Sequence, residues 1–463
     1  MADKQTALRQ IPQVEKTLQH EALQVYPALL GQGIVTDIVR EETEKFRESL
    51  LRGDALSPDD LVGLIGARCR EKSLEKLQRV INGSGVIIHT NLGRAPLGKE
   101  LLNRAAENLS GYCNLEYHIP SAQRGKRGGY AEELICHLTG AEDALIVNNN
   151  AASVFLLLNE FAREKEVIVS RGELIQIGGG FRIPDIMAQS GARLVEVGAT
   201  NITTLEDVEK AITDETAMIF SAHQSNYRIE GFTDHPTLRE MASICTDDII
   251  LARDLGSGNL VSDSRLPSPF EPTVRHELSQ GCDLICFSGD KLLGACQAGI
   301  ILGRKDLIAG LRKNPLMRMI RVDKLAYFLL QEALISYQNS THSDGALWKL
   351  ILQPAEDIKK KITRCIRKTG DVKGSKGLKR VATTATFGGG SMPGSELPGF
   401  GLQVSTPGMK ADEIARFMIT SPVPILGTII DDTFTIDFTA IFDEDVDYVA
   451  ARLRDLLSRE IQE

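Results

Sequence analysis

The sequence predicts an α/β protein built on a mostly parallel sheet. Short apolar runs recur between about residues 140 and 305: ALIV (144–147), EVIVS (166–170), RLVEVG (193–198), AMIFSAH (217–223), DIILARD (248–254), DLICFSG (283–289) and AGIILG (298–303). Stretches with helical spacing separate these runs, and the runs are nearly continuous rather than alternating. Strands that are apolar on both faces belong to a sheet covered by helices on both sides.

The flanking segments have a different texture. Residues 1–80 carry apolar residues at helical spacing, in QVEKTLQHEAL, GIVTDIVREETEKFRESLL and PDDLVGLIGARCREKSLEKLQRV. Ser57-Pro58-Asp59-Asp60 has the form of a helix start. From 316 onward a long helical stretch, RMIRVDKLAYFLLQEALISY, leads into a basic segment, a glycine turn (Gly388-Gly389-Gly390), strands such as TFTIDFTAIF and a last amphipathic helix. The chain has 463 residues, more than one core usually serves. The expected domains are a helical one over 1–80, a large one over 81–315 and a small, antiparallel α/β one over 316–463.

Composition narrows the function class. An apolar fraction of 42% with 25% charged residues is that of an ordinary globular protein. The net charge of −9 argues against a generally basic, nucleic-acid-coating surface, while leaving room for a local patch. The polar start lacks the apolar core of a signal peptide, and no run approaches the ~20 apolar residues of a membrane helix. The expectation is a cytoplasmic protein. Its eight cysteines are then reduced, and no metal site is expected, because Cys282 and Cys286 have no second Cys/His pair at ligand spacing.

Three segments carry chemistry. In Phe287-Ser-Gly-Asp-Lys-Leu-Leu-Gly-Ala-Cys-Gln-Ala-Gly299 a lysine, Lys291, follows a buried strand and sits in a turn of small residues. Turn lysines are commonly exposed; one packed between two strands instead loses water, its pKa falls, and the neutral amine can bond to an aldehyde. Ser288 is placed to bind a phosphate oxygen. Upstream, Asp254 ends the strand IILARD, at the sheet end where such folds bind ligands. An acid there suits the ring nitrogen of pyridoxal 5′-phosphate (PLP), although an Asp can also simply cap a turn. Third, Asn148-Asn149-Asn150-Ala151-Ala152-Ser153 lies between a strand and an apolar helix. A helix start offers N–H groups and a positive dipole end to a phosphate, and Asn150, Ala151 and Ala152 are the candidates. An ordinary N-cap reads the same way.

In chain order these are phosphate cup, ring-nitrogen acid and lysine, the order of the large domain in PLP-dependent fold type I, the aspartate-aminotransferase-like fold. Dinucleotide and P-loop motifs are absent. Asn226, upstream of Asp254, is the candidate partner of the ring hydroxyl. His223 either lies near the ring or is a satisfied strand histidine.

The chain also resembles the bacterial selenocysteine synthase, or L-seryl-tRNA(Sec) selenium transferase, family over nearly its whole length. The segments that carry the resemblance are INGSGVIIHTNLGRAPLG, GAEDALIVNNNAASV, VSRGELIQIGGGFRIPDIM, SNYRIEGFT, DLGSGNLV, FSGDKLLG followed by QAGIILG, and NPLMRMIRVDK. Ala295-Cys296 departs from it, standing where Gly-Pro is expected. The resemblance implies PLP on Lys291, loss of water from the seryl group of seryl-tRNA(Sec) to give an aminoacrylyl-tRNA, and addition of selenium from selenophosphate. It places Arg94, Arg318 and Arg321 around selenophosphate, consistent with the match of guanidinium forks to phosphate-type oxygens. A solvated helix face is the other reading of Arg318 and Arg321. Arg124 and Arg127 are further candidates, in a segment that also reads as a flexible basic loop.

The resemblance further implies tRNA recognition by the N-terminal domain and a homo-oligomer, at least a dimer and by resemblance a decamer. The first 80 residues hold twelve Lys/Arg and thirteen Asp/Glu, so recognition there would rest on shape. Residues 359–380 hold ten Lys/Arg and one Asp, a source of phosphate contacts or a solvated face. Two other functions remain open at this point. A PLP lyase acting on a small amino acid or amino sugar phosphate explains the site but not the N-terminal domain. A non-catalytic tRNA-binding relative leaves Lys291 and Asp254 unexplained.

Overall fold

The computed structural model describes residues 11–458 except 55, 178–179, 224–226, 228, 268–269, 371–376 and 393. Two compact units divide the chain: residues 1–81 with 412–426, and residues 82–411 with 427–463. The expected division at 316 is not a division between these units.

In the first unit, helix α1 (Gln32–Arg52) and helix α2 (Pro58–Leu74) face each other. Val35, Val39, Phe46 and Leu50 recur at helical spacing and meet Leu61, Ile65 and Cys69 in one core. The expected helix start is a capping box. Asp60 N donates to Ser57 Oγ at 3.3 Å and Ser57 N donates to Asp60 Oδ2 at 2.7 Å, with Pro58 in the first turn.

The second unit holds all seven expected strands in one sheet: β1 (Asp143–Val147), β2 (Glu166–Ser170), β3 (Arg193–Val197), β4 (Thr216–Ala222), β5 (Ile250–Gly256), β6 (Leu284–Ser288) and β7 (Gly299–Gly303). Their order across the sheet is β1-β7-β6-β5-β4-β2-β3. Strand β7 runs antiparallel to both neighbours, and the remaining pairs are parallel. Side chains alternate between two cores. In β6, Ile285 and Phe287 enter one and Leu284 and Cys286 the other; β1 divides the same way. That two-sided burial explains the unbroken apolar runs.

Helix α3 (Asn150–Phe161) follows β1. Helix α4 (Lys324–Gln338) lays Leu330, Leu334 and Tyr337 into the same core as Phe287. The helix thus shares the core of the large sheet, and residue 316 lies inside the second unit. Beyond it come helix α5 (Ala355–Thr369), an antiparallel four-stranded sheet and helix α6 (Val446–Leu457). The sheet comprises β8 (Leu378–Thr386), β9 (Glu396–Val404), β10 (Thr428–Ile430) and β11 (Thr433–Asp437). Among the described residues no helix is long and apolar enough to cross a membrane.

Candidate active site

The carboxyl ends of β4, β5 and β6 and the start of α3 enclose a cavity of about 240 Å³. Asn150, Ala151, His223, Asp254, Ser288, Lys291 and Arg94 all line it. Six of these residues were expected around PLP, and Arg94 at the phosphate-type substrate.

Lys291 is 7% exposed, in the turn that joins β6 to β7. Gly294 N donates to Lys291 O at 2.9 Å and Ala295 N donates to Gly289 O at 2.9 Å, which closes the turn. Burial pushes the amine below its ordinary range. Attraction to Asp254 opposes this, and repulsion from Arg94 adds to it. Asp254 is held up in turn, chiefly by burial. Its Oδ1 accepts from Asn150 Nδ2 at 2.8 Å and from Gly256 N at 2.8 Å, and these bonds favour the charged form. The two shifts share one leading cause, the burial of both groups.

The start of α3 is shaped by its neighbours. Asn149 Oδ1 accepts from Ala152 N at 2.8 Å as the N-cap. The Ala152 N–H is therefore already used, and Ala152 does not line the cavity. A Cβ on Gly299 would stand 2.2 Å from Asn149 O and 2.3 Å from Ser153 Oγ, so β7 approaches the helix start only with glycine there.

Among the described residues, Asn150 Oδ1 and His223 Nδ1 are buried without a hydrogen-bond partner. Such atoms normally meet a ligand or water. The His223 imidazole has its pKa pulled down to about 4 by burial, Arg253 and Lys291, so it is neutral near pH 7. A buried amine, a half-buried acid, a helix start and two unpartnered polar atoms fit a small anionic aldehyde with a basic ring, the chemistry of PLP.

Arg94, at φ 63°, places Nη1 3.1 and 2.9 Å from the two oxygens of Asp290, the residue beside Lys291. Arg318 and Arg321 do not reach the cavity. Both are exposed, and Arg321 lies 4.0 Å from Glu116. Arg127 bonds Glu116 at 2.7 Å and Arg124 at 3.5 Å, so three arginines gather on that carboxylate. Asn226 lies outside the described residues. Burial pushes the Cys296 thiol up to about 12, away from the thiolate form. Sequence reasoning missed Asp290 and Gln297, both of which line the cavity, although both sit within the quoted lysine segment.

The fold and the lysine–acid pair define an α/β enzyme of the aspartate-aminotransferase-like fold type I. A solved D-glucosaminate-6-phosphate ammonia-lyase superposes with a TM-score of 0.57 at 19% identity, covering 82% of this chain and 96% of that one. A family model described as L-seryl-tRNA selenium transferase matches residues 80–442, and one described as selenocysteine synthase N terminal matches residues 8–47. Proteins named L-seryl-tRNA(Sec) selenium transferase are similar over nearly full length. That of Geotalea uraniireducens is 40% identical, covering 97% of this chain and 99% of its own. Those of Carboxydothermus hydrogenoformans (39%; 95% and 96%) and Aquifex aeolicus (38%; 97% and 99%) are comparable. The chain belongs to the L-seryl-tRNA selenium transferase family.

Proposed function

We propose that this protein holds PLP on Lys291 and converts seryl-tRNA(Sec) to selenocysteinyl-tRNA(Sec) with selenophosphate. The observation that carries the reading is the buried Lys291 amine sharing one cavity with the half-buried Asp254. PLP, when bound, supplies an electron sink for charge developing at the serine Cα.

The chain's own residues then have separable tasks. Asp254, fixed by Asn150, would hold the ring nitrogen and keep it protonated. Asn150, Ala151 and Ser288 would hold the phosphate, with the dipole of α3 behind them. His223, neutral, contributes an uncharged polar contact. Lys291, whose pKa burial lowers, would be the base that takes the serine Cα proton and later returns it. Arg94, steadied by Asp290, offers a fork to selenophosphate.

Arg318 and Arg321 join that anion site when a second copy of the chain brings them to it. A homo-oligomer, at least a dimer, is part of the proposal for that reason. The N-terminal unit and the basic segment take the tRNA, and the reaction belongs to the cytoplasm. A small-molecule lyase uses the same lysine and acid, but it leaves unused the N-terminal unit over which a selenocysteine synthase model also matches.

The test is the absorbance band of lysine-bound PLP together with turnover. Lys291→Ala should lose the band and lower turnover by roughly 10²–10⁴-fold or more. A variant that keeps both would overturn the assignment.

A further inference from the structure

A half-buried carboxyl used by none of the steps above, Glu271, bonds the turn that lies against Lys291. The glycine turn of the C-terminal segment returns to the site. A Cβ on Gly390 would stand 2.5 Å from Lys291 Nζ and 3.0 Å from its Cε, so the turn's backbone rests on the amine. A Cβ on Gly388 would stand 2.3 Å from Ile88 O, which fixes the other side of the turn.

The turn is strained where it leaves the lysine. Met392, a non-glycine, holds φ 51° while 4% exposed. Such a conformation persists only where surrounding contacts enforce it, and it clusters at functional sites. Here the enforcing residue is Glu271. Its Oε1 accepts from Met392 N at 2.8 Å, and its own N–H donates to Met392 Sδ at 3.1 Å. Its Oε2 accepts from Ser257 Oγ, and its carbonyl accepts from Asn259 Nδ2 at 2.7 Å. Phe270 meets Phe387 edge-on at 5.7 Å, so apolar contact flanks the same junction. Glu271 is anchored on one side and grips the strained turn on the other.

Resting on the assignment of Lys291 as the PLP lysine, we propose that Glu271 is a positioning residue. It latches the Gly388–Met392 turn against the Lys291 amine and keeps a titratable negative charge within reach of that amine.

The electrostatics agree in sign. Burial pushes the Glu271 carboxyl up to about 7, with the Met392 N–H, Lys291 and Arg253 opposing. Glu271 in turn favours the charged form of Lys291, as do Asp254 and Asp290, while Arg94 disfavours it. The hydrogen-bond partners Met392, Ser257 and Asn259 are neutral. Ionised Glu271 therefore makes the lysine harder to deprotonate, and protonated Glu271 makes it easier. Either form can bond the turn, because only one oxygen is needed for the Met392 N–H.

The experiment uses the full chain and two variants. PLP is added across a pH series, the lysine–PLP bond is reduced with cyanoborohydride, and the Lys291 peptide is quantified by mass spectrometry. Amide exchange of residues 388–392 is followed in parallel. Glu271→Gln keeps an acceptor for Met392 and loses the charge. Its trapping midpoint should move to lower pH, with exchange in the turn unchanged. Glu271→Ala should move the midpoint and also speed exchange at Met392 at least tenfold. Wild-type midpoints in Glu271→Gln would overturn the proposal, and this variant decides even where Glu271→Ala does not fold. A wild-type chain that traps no PLP on Lys291 at any pH would overturn the assignment of Lys291 instead, a distinguishable result.

Discussion

Asn150 Nδ2 donates to Asp254 Oδ1 at 2.8 Å, across 104 residues of chain. The bond ties the first turn of α3 to the end of β5. The residue proposed to frame the phosphate cradle thus also orients the acid. Its other polar atom, Oδ1, is buried and unpartnered among the described residues.

Removing that tie should weaken the site without unfolding it. Asn150→Ala takes away a bond that lowers the Asp254 pKa, so that pKa rises further and the carboxylate is lost at higher pH. PLP affinity should fall about ten- to hundredfold, the usual worth of a hydrogen bond to a charged group. The fall should be steeper at pH 6 than at pH 8. Titration of the cofactor band across that range checks it, and a pH-independent loss would contradict it.

His223 should make protein freed of cofactor acid-sensitive. Its folded pKa of about 4 lies below the ordinary 6.5, so the folded state favours the neutral ring. The stability so gained is present above pH 6.5 and lost as pH falls toward 4, by at most about 3 kcal/mol. His223→Gln should remove that part of the acid destabilisation. Urea unfolding at pH 7 and pH 4.5 measures the difference between the two proteins.

Exposed Arg318 and Arg321 should act on another chain's site. Changing both to Ala should raise the KM for selenophosphate roughly tenfold or more and leave PLP binding alone. Mixing this variant with Lys291→Ala subunits should bring the selenophosphate KM back toward that of the unaltered protein, because a hybrid assembles one intact site. A KM that stays raised while hybrid oligomers form would sink the idea.

Helix α5 and the edge strand β8 form a basic groove. Lys359, Lys360 and Arg364 are paired with Glu356, Asp357 and Asp447, whereas Arg367 and Arg380 line the groove and are exposed. Arg367→Glu with Arg380→Glu should weaken tRNA binding and flatten its salt dependence by about one unit of log–log slope for each phosphate no longer neutralised. Unchanged binding would leave the groove a solvated face.

Much of this was legible because it is local or periodic. Six of the seven strands were readable since each is apolar on both faces, β3 at the sheet edge exposing Arg193 and Glu196, and β2 matches its expected span of 166–170. Lys291, Asp254 and Asn150 could be assigned because strand ends in such a sheet converge on one edge. Other parts depend on contacts between distant segments. Nothing near Glu271 in the sequence points to Met392, and Gly388–Gly390 reads as an ordinary turn until its backbone is seen against Lys291. Ala152 illustrates the limit of motif reading: it sits within the helix start, but Asn149 has already taken its N–H. Arg318 lies in a short helix, Met317–Ile320, and Arg321 caps its end; both are exposed, and no single-chain pattern says what meets them.

The most direct measurement is a single-turnover assay. tRNA(Sec) charged with labelled serine is mixed with the purified protein, PLP and selenophosphate, and the amino acid on the tRNA is identified. Seryl-tRNA(Ser) is the control. The account predicts selenocysteine on tRNA(Sec) and untouched serine on the control. Serine left intact on tRNA(Sec), in protein shown to carry PLP on Lys291, would contradict it and point to a small-molecule substrate.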